Sequence, residues 1–512
     1  MVGVTQALMV VGTSSHVGKS LMVAAFCRIF AEAGVKVAPF KSQNMSLNAA
    51  VTPAGLEIGR AQAVQAHAAG IDPSPLMNPV LLKPSGNHQS QVVLRGMAIG
   101  NMKAKDYYLG QKQLLWEAIA ASYAELASQF ELIVMEGAGS PVEMNLKRND
   151  LANMRVAAMA NANVILVADI DRGGVFASVV GTLQLLEPQE RARVRGVLIN
   201  RFRGDPQLFV DGRQWLEDYT GIPVLGVIPY IPDLAIAEED SLAFTNPTDL
   251  TQRLQKTPLL RIGILHLPHL ANFTDFDPLS QEPDVEVVWI KHPDEMEKLD
   301  AVIIPGSKST LYDLSWLIEQ RLDIALHSHR ANGGFVLGIC GGFQMLGERL
   351  EDPDQVESSV TYMSGLGMFT METLMTQTKA TRWVDAHAMG VYAGLPIKGY
   401  EMHMGITRWL QEKGSPFAHL QSASQDVTPD GAMSSDGRLI GTYLHHLFHN
   451  DEFRLRWINQ MLAAKGMHEL AATRSYFQIE EEAIAHLANV VKAHVDMQRL
   501  FEWAGIRYAV DA

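Results

Sequence analysis

Six short apolar runs, ALMVV, VKVAPF, ELIVM, NVILVAD, VRGVLIN and IPVLGVIPY, punctuate residues 7–230, and helical patterns separate them. A strand that is apolar on both faces must be covered on both, which is the condition of a parallel sheet between layers of helices. From Pro232 to Pro258 the pattern lapses into acids, prolines and polar residues. A second series then begins, LLRIGILHL, VEVVWI, DAVIIPG, GGFVLGIC and RLIGTYLHH, with the same signature. The expectation is an α/β chain of two domains, each with a mainly parallel sheet flanked by helices. The first spans 1–240, a linker covers 241–258, and the second spans 259–512 with the amphipathic helices that follow Asp451.

The chain has 512 residues, too many for one ordinary core, and its 47% hydrophobic and 19% charged content is that of a globular protein. A formal net charge of −14 without a cluster of Lys and Arg argues against nucleic acid as a partner. No apolar run approaches the roughly 20 residues of a membrane span, and no secretory leader precedes the first strand, so a cytoplasmic location is expected. Two cysteines, Cys27 and Cys340, exclude a disulfide framework or an all-cysteine metal site. Cys27 lies within the apolar helix LMVAAFCRIF and reads as a packing residue.

The first strand runs into Gly12-Thr13-Ser14-Ser15-His16-Val17-Gly18-Lys19-Ser20 and then a helix. Backbone N–H groups of such a loop ring phosphate oxygens at a helix N-terminus, where the dipole favours negative charge. Lys19 is placed to reach the outer phosphates of ATP and the Ser20 hydroxyl to ligate Mg²⁺. Strand ELIVM ends at Glu136, a carboxylate in the crevice where open sheets bind ligands and a second candidate for Mg²⁺. A solvated loop glutamate is the competing reading. Asp169 and Asp171 also end a strand, and serve either the metal, the substrate or only an acidic turn.

In the second half, strand GGFVLGIC breaks at Gly338-Ile339-Cys340-Gly341-Gly342 and a helix follows. Flanking glycines permit the sharp turn that lifts a nucleophile above a sheet, and a helix N-terminus favours its thiolate. A thiolate needs a proton shuttle. His445, at the end of RLIGTYLH, is the candidate base, while His445, His446 and His449 together form an alternative metal reading. The oxyanion of the tetrahedral intermediate would be held by the N–H of Gly341 and by the Gly306-Ser307 loop, which otherwise is a turn.

GICGGFQ, IIPGSKST and YLHH together resemble the class I glutamine amidotransferase domain, and GTSSHVGKS with MEGAGSP resembles the ATP-binding fold of dethiobiotin synthetase. Their combination is similar to the cobyric acid synthase family, as are KSQNMSLNAAVTPAGLEIGRAQAVQAHAAG, MNPVLLKPSGNHQSQVV, ILVADIDRGGVFASVVGTL, NRFRGD, PVLGVIPY and GYEMHMGITR. The resemblance reaches from the phosphate loop to about Asn450. It implies amidation of four carboxylates of adenosylcobyrinic acid a,c-diamide, each with one glutamine and one ATP. The related a,c-diamide synthases and a non-catalytic regulatory ATPase are the competing readings. Asn200, ending strand VLIN, matches the position that reads adenine in dethiobiotin synthetase-like folds; Lys41, Gln43 and Asn44, after strand VKVAPF, are expected to face the substrate carboxylates, with a solvent-facing loop as the competing reading, and Glu401 and His403 to lie near the glutaminase site. Class I amidotransferases usually carry Glu two residues after the histidine. Leu447 stands there, so a Cys340–His445 dyad is expected.

Overall fold

In a computed structural model, the structure describes residues 5–85, 89–103, 112–232, 234–236, 258–358, 360–410, 414–421 and 427–508. Residues 241–257 of the expected linker lie outside them. The first sheet contains β1 (Gln6–Gly12), β2 (Val37–Phe40), β3 (Leu132–Glu136), β4 (Asn163–Asp169), β5 (Val194–Phe202) and β6 (Val224–Pro229). Its spatial order is β6-β5-β4-β1-β3-β2, and every pair is parallel. Side chains alternate between two cores: Met9, Val11, Ile133 and Met135 enter one, while Leu8, Val10, Leu132 and Val134 enter the other. That is why these strands carry no polar alternation.

Helix α1 (Lys19–Glu32) follows β1, and α2 (Arg60–Ala68) packs beside it. Between α2 and β3 the chain adds strands Val80–Ser85, Gln89–Leu94 and Met97–Lys103, which join Gln43–Met45 in a four-stranded sheet. The second sheet has five parallel strands, β7 (Leu260–Leu265), β8 (Val285–Ile290), β9 (Ala301–Ile304), β10 (Phe335–Ile339) and β11 (Leu439–Thr442), in the order β8-β7-β9-β10-β11, and the short strand Ala432–Met433 pairs antiparallel with β11 at its edge. A long antiparallel hairpin, Met371–Ala388 with Pro396–Trp409, leaves this domain towards the first. There Tyr400 and Met402 join Ala49, Val51, Leu81 and Val93 in one apolar cluster.

The chain end departs from the expected boundaries. Helix Asp451–Ala464 packs on the second sheet through Phe453, Trp457 and Leu462. Helices α3 (Tyr476–His494) and α4 (Met497–Trp503) instead return to the first domain, where Ile484, Leu487, Val491 and Phe501 share a core with α1. Phe30 and Phe501 meet at 4.7 Å, and the Asp496 N–H donates to the Leu225 carbonyl at 3.0 Å. Without this cover, the α1 face of the first sheet would lie open to water. Among the described residues no helix is long and apolar enough to cross a membrane.

Candidate active site

The loop after β1 brings Lys19, Ser20 and Glu136 together at the carboxyl edge of the first sheet. Gly18 opens α1 in the left-handed region (φ 95°), and a Cβ there would lie 2.2 Å from the Asn200 amide nitrogen. Only glycine fits both demands. The Asn200 amide donates to the Val17 carbonyl at 2.9 Å, so in this structure it braces the loop. A Cβ on Gly12 would approach Lys19 Nζ to 3.0 Å, and the Thr13 N–H donates to Val167 O at 2.9 Å. Ser15 stands exposed on the crest. Lys19 Nζ donates to the carbonyls of Ser14 at 3.0 Å and Gly139 at 3.1 Å, which fixes the ammonium across the mouth of the loop.

Glu136 is buried and shares its oxygens among three partners. Ser20 Oγ and Lys41 Nζ each lie 2.9 Å from Oε1, and Gln65 Nε2 lies 2.6 Å from Oε2. A hydroxyl beside a carboxylate is a hard-oxygen donor pair that fits Mg²⁺, whose remaining ligands are usually phosphate oxygens and water. Asp169 and Asp171 each meet an arginine. Arg201 binds Asp169 at 3.1 Å and Arg203 binds Asp171 at 2.7 Å. Lys41 reaches Glu136, while Asn44 is buried and donates to Gln62 at 3.0 Å. Gln43 sits in the strand Gln43–Met45 at the edge of the four-stranded sheet.

At the second site the backbone makes the elbow. Cys340 has φ 53° and ψ −110°, a strained conformation for a residue with a side chain, between β10 and a short helix from Gly341. A Cβ on Gly342 would lie 2.0 Å from Ile304 O, and one on Gly338 2.7 Å from Gly342 O, so β9 and the helix close tightly around the turn. The thiol sulfur lies 3.5 Å from the Met402 carbonyl oxygen. Gly306 and Ser307 pack against the elbow: a Cβ on Gly341 would be 2.9 Å from Ser307 N, and one on Gly306 3.8 Å from Cys340 Cβ. The Ser307 hydroxyl donates to Asp313 at 2.6 Å, leaving the backbone as the part of Ser307 suited to an oxyanion.

His445 completes this group, together with an acid that the sequence reading missed. Its Nδ1 lies 2.6 Å from Asp275 Oδ2, and both side chains are buried. Burial alone would lower the imidazole pKa. The Asp275 carboxylate overrides it first, then the adjacent Cys340 thiol, and together they hold it up at about 10. Burial would likewise raise Asp275, but the His445 charge and hydrogen bond and the His446 N–H hold it below its ordinary range. In place of the expected dyad, the structure assembles Cys340, His445 and Asp275, the last from a segment 170 residues before the histidine. Asp275 sits between buried Phe273 and Phe276. A carboxylate flanked by buried aromatics needs a partner, and that was its one signal in the sequence.

His446 is placed differently. Its backbone has φ 65°, its N–H donates to Asp275 Oδ1 at 3.1 Å, and its ring stacks on His449 at 3.9 Å. Burial, then His449, drive its pKa far down, so it remains neutral. No group of three or more metal-ligating side chains occurs among the described residues, and the histidines form none. His403 lines the Cys340 pocket and stacks on Tyr443 at 3.6 Å. Glu401 is buried against Arg382 at 2.5 Å, and its Oε1 lies 3.9 Å from Nε2 of that histidine. Leu47 and Lys83 of the first domain also line this pocket, which therefore opens at the domain boundary.

Comparison with known proteins agrees with both halves. Residues 8–244 match the family model of the CobQ/CobB/MinD/ParA nucleotide binding domain, and residues 261–453 that of the CobB/CobQ-like glutamine amidotransferase domain. A cobyric acid synthase of Chloroflexus aggregans is 49% identical over 460 residues, covering 89% of this chain and 91% of its own. Those of Rippkaea orientalis and Salmonella heidelberg are each 46% identical, over 497 and 512 residues, covering 97% of this chain and 99% and 98% of their own. With identity at this level over nearly the whole length of each, this chain belongs to the cobyric acid synthase family.

Proposed function

We propose that the protein amidates four carboxylates of adenosylcobyrinic acid a,c-diamide in the cytoplasm, giving adenosylcobyric acid at the expense of ATP and glutamine. The observation that carries this reading is the buried Cys340–His445–Asp275 group in a chain whose other sheet presents Lys19, Ser20 and Glu136 at a phosphate loop. One half suits carboxylate activation and the other suits release of nitrogen.

In the first domain a corrinoid carboxylate attacks the γ-phosphorus of ATP, the bond to the β-phosphate oxygen breaks with release of ADP, and the carboxylate becomes an acyl phosphate. Lys19 and the loop N–H groups take up charge on the transferred phosphoryl group, which is positioning and electrostatics rather than covalent chemistry. Mg²⁺, which Ser20 and Glu136 would hold, supplies further neutralisation of phosphate charge when bound. Asn200 is assigned to the adenine side, and Lys41, Gln43 and Asn44 to the substrate carboxylates. In the second domain Cys340 attacks the glutamine amide carbon. The N–H groups of Gly341 and the Gly306-Ser307 segment hold the oxyanion, and His445 gives its proton to the departing ammonia. Asp275 keeps the imidazole oriented and protonated for that step. Water then hydrolyses the thioester, and ammonia displaces phosphate from the acyl phosphate.

The test is incubation with MgATP, glutamine and candidate corrinoid acids, counting amides by mass spectrometry and glutamate by assay. Four added amides on the a,c-diamide are expected. Amidation confined to the a and c positions of the unamidated acid would assign the diamide synthase activity instead, and ATP hydrolysis without glutamate release would leave only a regulatory ATPase.

A further inference from the structure

The strain at the nucleophile has to be held from outside. With φ 53° and ψ −110°, Cys340 stands in a conformation that persists only where its surroundings over-determine it. Its carbonyl accepts the Gln344 N–H at 3.1 Å, and its own N–H donates to the carbonyl of Thr442, the last residue of β11, at 2.8 Å. The amide of the elbow is therefore only as fixed as Thr442.

Thr442 is in turn fixed by one buried carboxylate. Its hydroxyl donates to Asp430 Oδ2 and accepts the Leu444 N–H at 3.0 Å, while Asp430 Oδ1 accepts the Tyr443 N–H at 3.2 Å. Three consecutive residues are tied in this way, and the next is His445, whose N–H donates to the Tyr400 carbonyl at 2.9 Å. Asp430 itself ends the strand Val427–Asp430, where its carbonyl accepts the Phe417 N–H at 3.0 Å. Gly431 follows at φ 70°, and a Cβ there would lie 2.1 Å from Gly441 O, so the chain turns back hard against β11.

Asp430 is buried, and among the described residues no ammonium or guanidinium forms an ion pair with it. A buried carboxylate without a cation is costly to keep, and an amide of the same shape would fill the space at less expense if packing were its only role. Both of its oxygens serve as acceptors. Protonation would turn one into a donor to Thr442 Oγ1, and the hydroxyl hydrogen of that threonine would then lack an acceptor in a site closed to water. Burial pushes the Asp430 carboxyl up, the hydrogen bond from Thr442 opposes the rise, and the Glu401 charge adds to it, which leaves the group at about 7. Glu401 and Arg382 of the long hairpin and Tyr443 of the adjoining segment are the titratable or charged groups that face it.

We propose, on the footing of the amidotransferase reading above, that Asp430 is a positioning residue for glutamine hydrolysis, holding through Thr442 both the strained amide of Cys340 and the segment that delivers His445. It does not line the Cys340 pocket. Its ionised form keeps all three hydrogen bonds, so the elbow is set above pH 7 and loosens below it.

The experiment measures glutamate release by the full chain on both sides of pH 7 in the native protein, Asp430→Asn, Thr442→Val and Thr442→Ser. The native kcat is expected to rise as pH passes upward through about 7, with the glutamine KM unchanged. Asp430→Asn and Thr442→Val are expected to lose that rise and to fall roughly tenfold in kcat above it, again at native KM, while Thr442→Ser restores the hydroxyl and the native profile. A native kcat without the inflection overturns the inference. So does an inflection that survives in Asp430→Asn, a loss that falls on KM, or a Thr442→Ser no better than Thr442→Val. Should Thr442→Val fail to fold, as a melting curve would show, Asp430→Asn and the native profile decide. Cys340→Ala separates the two levels. Glutamate release that survives this change overturns the amidotransferase reading itself, whereas its loss alongside a native profile in Asp430→Asn overturns only the positioning role.

Discussion

His445 shows how a single buried pair sets chemistry and stability together. With its pKa held at about 10 by Asp275 against an ordinary 6.5, the imidazole binds a proton more tightly folded than unfolded. The stability this supplies is fully present below pH 6.5 and is lost as pH rises through about 10. Asp275→Asn removes the raising carboxylate, and burial then lowers the pKa. The variant is expected to lose glutaminase kcat on the order of 100- to 10,000-fold, with its alkaline limb moved to lower pH. Melting temperatures of the two proteins should differ most below pH 6.5 and converge towards pH 10; a constant gap would show that Asp275 acts by packing only. Cys340→Ala is expected to abolish glutamine-dependent amidation while ammonium salt at high pH restores product, because the acyl phosphate still forms. Product assays with each nitrogen source decide this.

At the scale of elements, each site is a strand that ends at a turn too tight for side chains. The sequence patterns GTSSHVGKS and GICGG announced these turns, since glycine spacing reports local backbone demands. Their particular neighbours were not legible: the contact of Gly18 with Asn200, or of Gly342 with Ile304 O, comes from strands far away in the chain. Gly342→Ala would drive a methyl to 2.0 Å from a backbone oxygen. Its cost is expected to be at least roughly 1–3 kcal/mol, read as a lower melting temperature of the second domain with glutaminase lost and α1 hydrogen exchange unaltered. A variant of native stability and activity would mean that the elbow is looser than this geometry.

Across the whole molecule, the two domains share more than a linker. The hairpin carrying Tyr400 and Met402 enters an apolar cluster with the first domain, and Lys379 of the same hairpin joins Lys83 in pairing with buried Glu57. Burial alone would raise Glu57, yet the two ammonium groups hold it at about 2, so this interface ion cluster stays charged. The returning helices make a second tie. Leu487→Ala is expected to cost about 2–5 kcal/mol and to accelerate hydrogen exchange in α1, a first-domain helix, before it affects β7–β11. Exchange that rises first in the second domain would place α3 with its sequence neighbours instead.

Local patterns were enough to foresee two parallel-sheet domains, the glycine turn of the phosphate loop and the glycine turn of the cysteine elbow. Each depends on periodicity or glycine spacing within about twenty residues, and such signals survive without knowledge of the fold. The third member of the glutaminase group, the pairing of Asp169 and Asp171 with arginines, and the return of α3 and α4 to the first domain were settled by folding alone. Asp275 reaches His445 from 170 residues away, and a carboxylate's partner at that separation is fixed by which strands lie side by side. Amphipathic helices have the same limitation. Their apolar stripe demands cover, but only the uncovered face of a finished sheet selects where that cover goes.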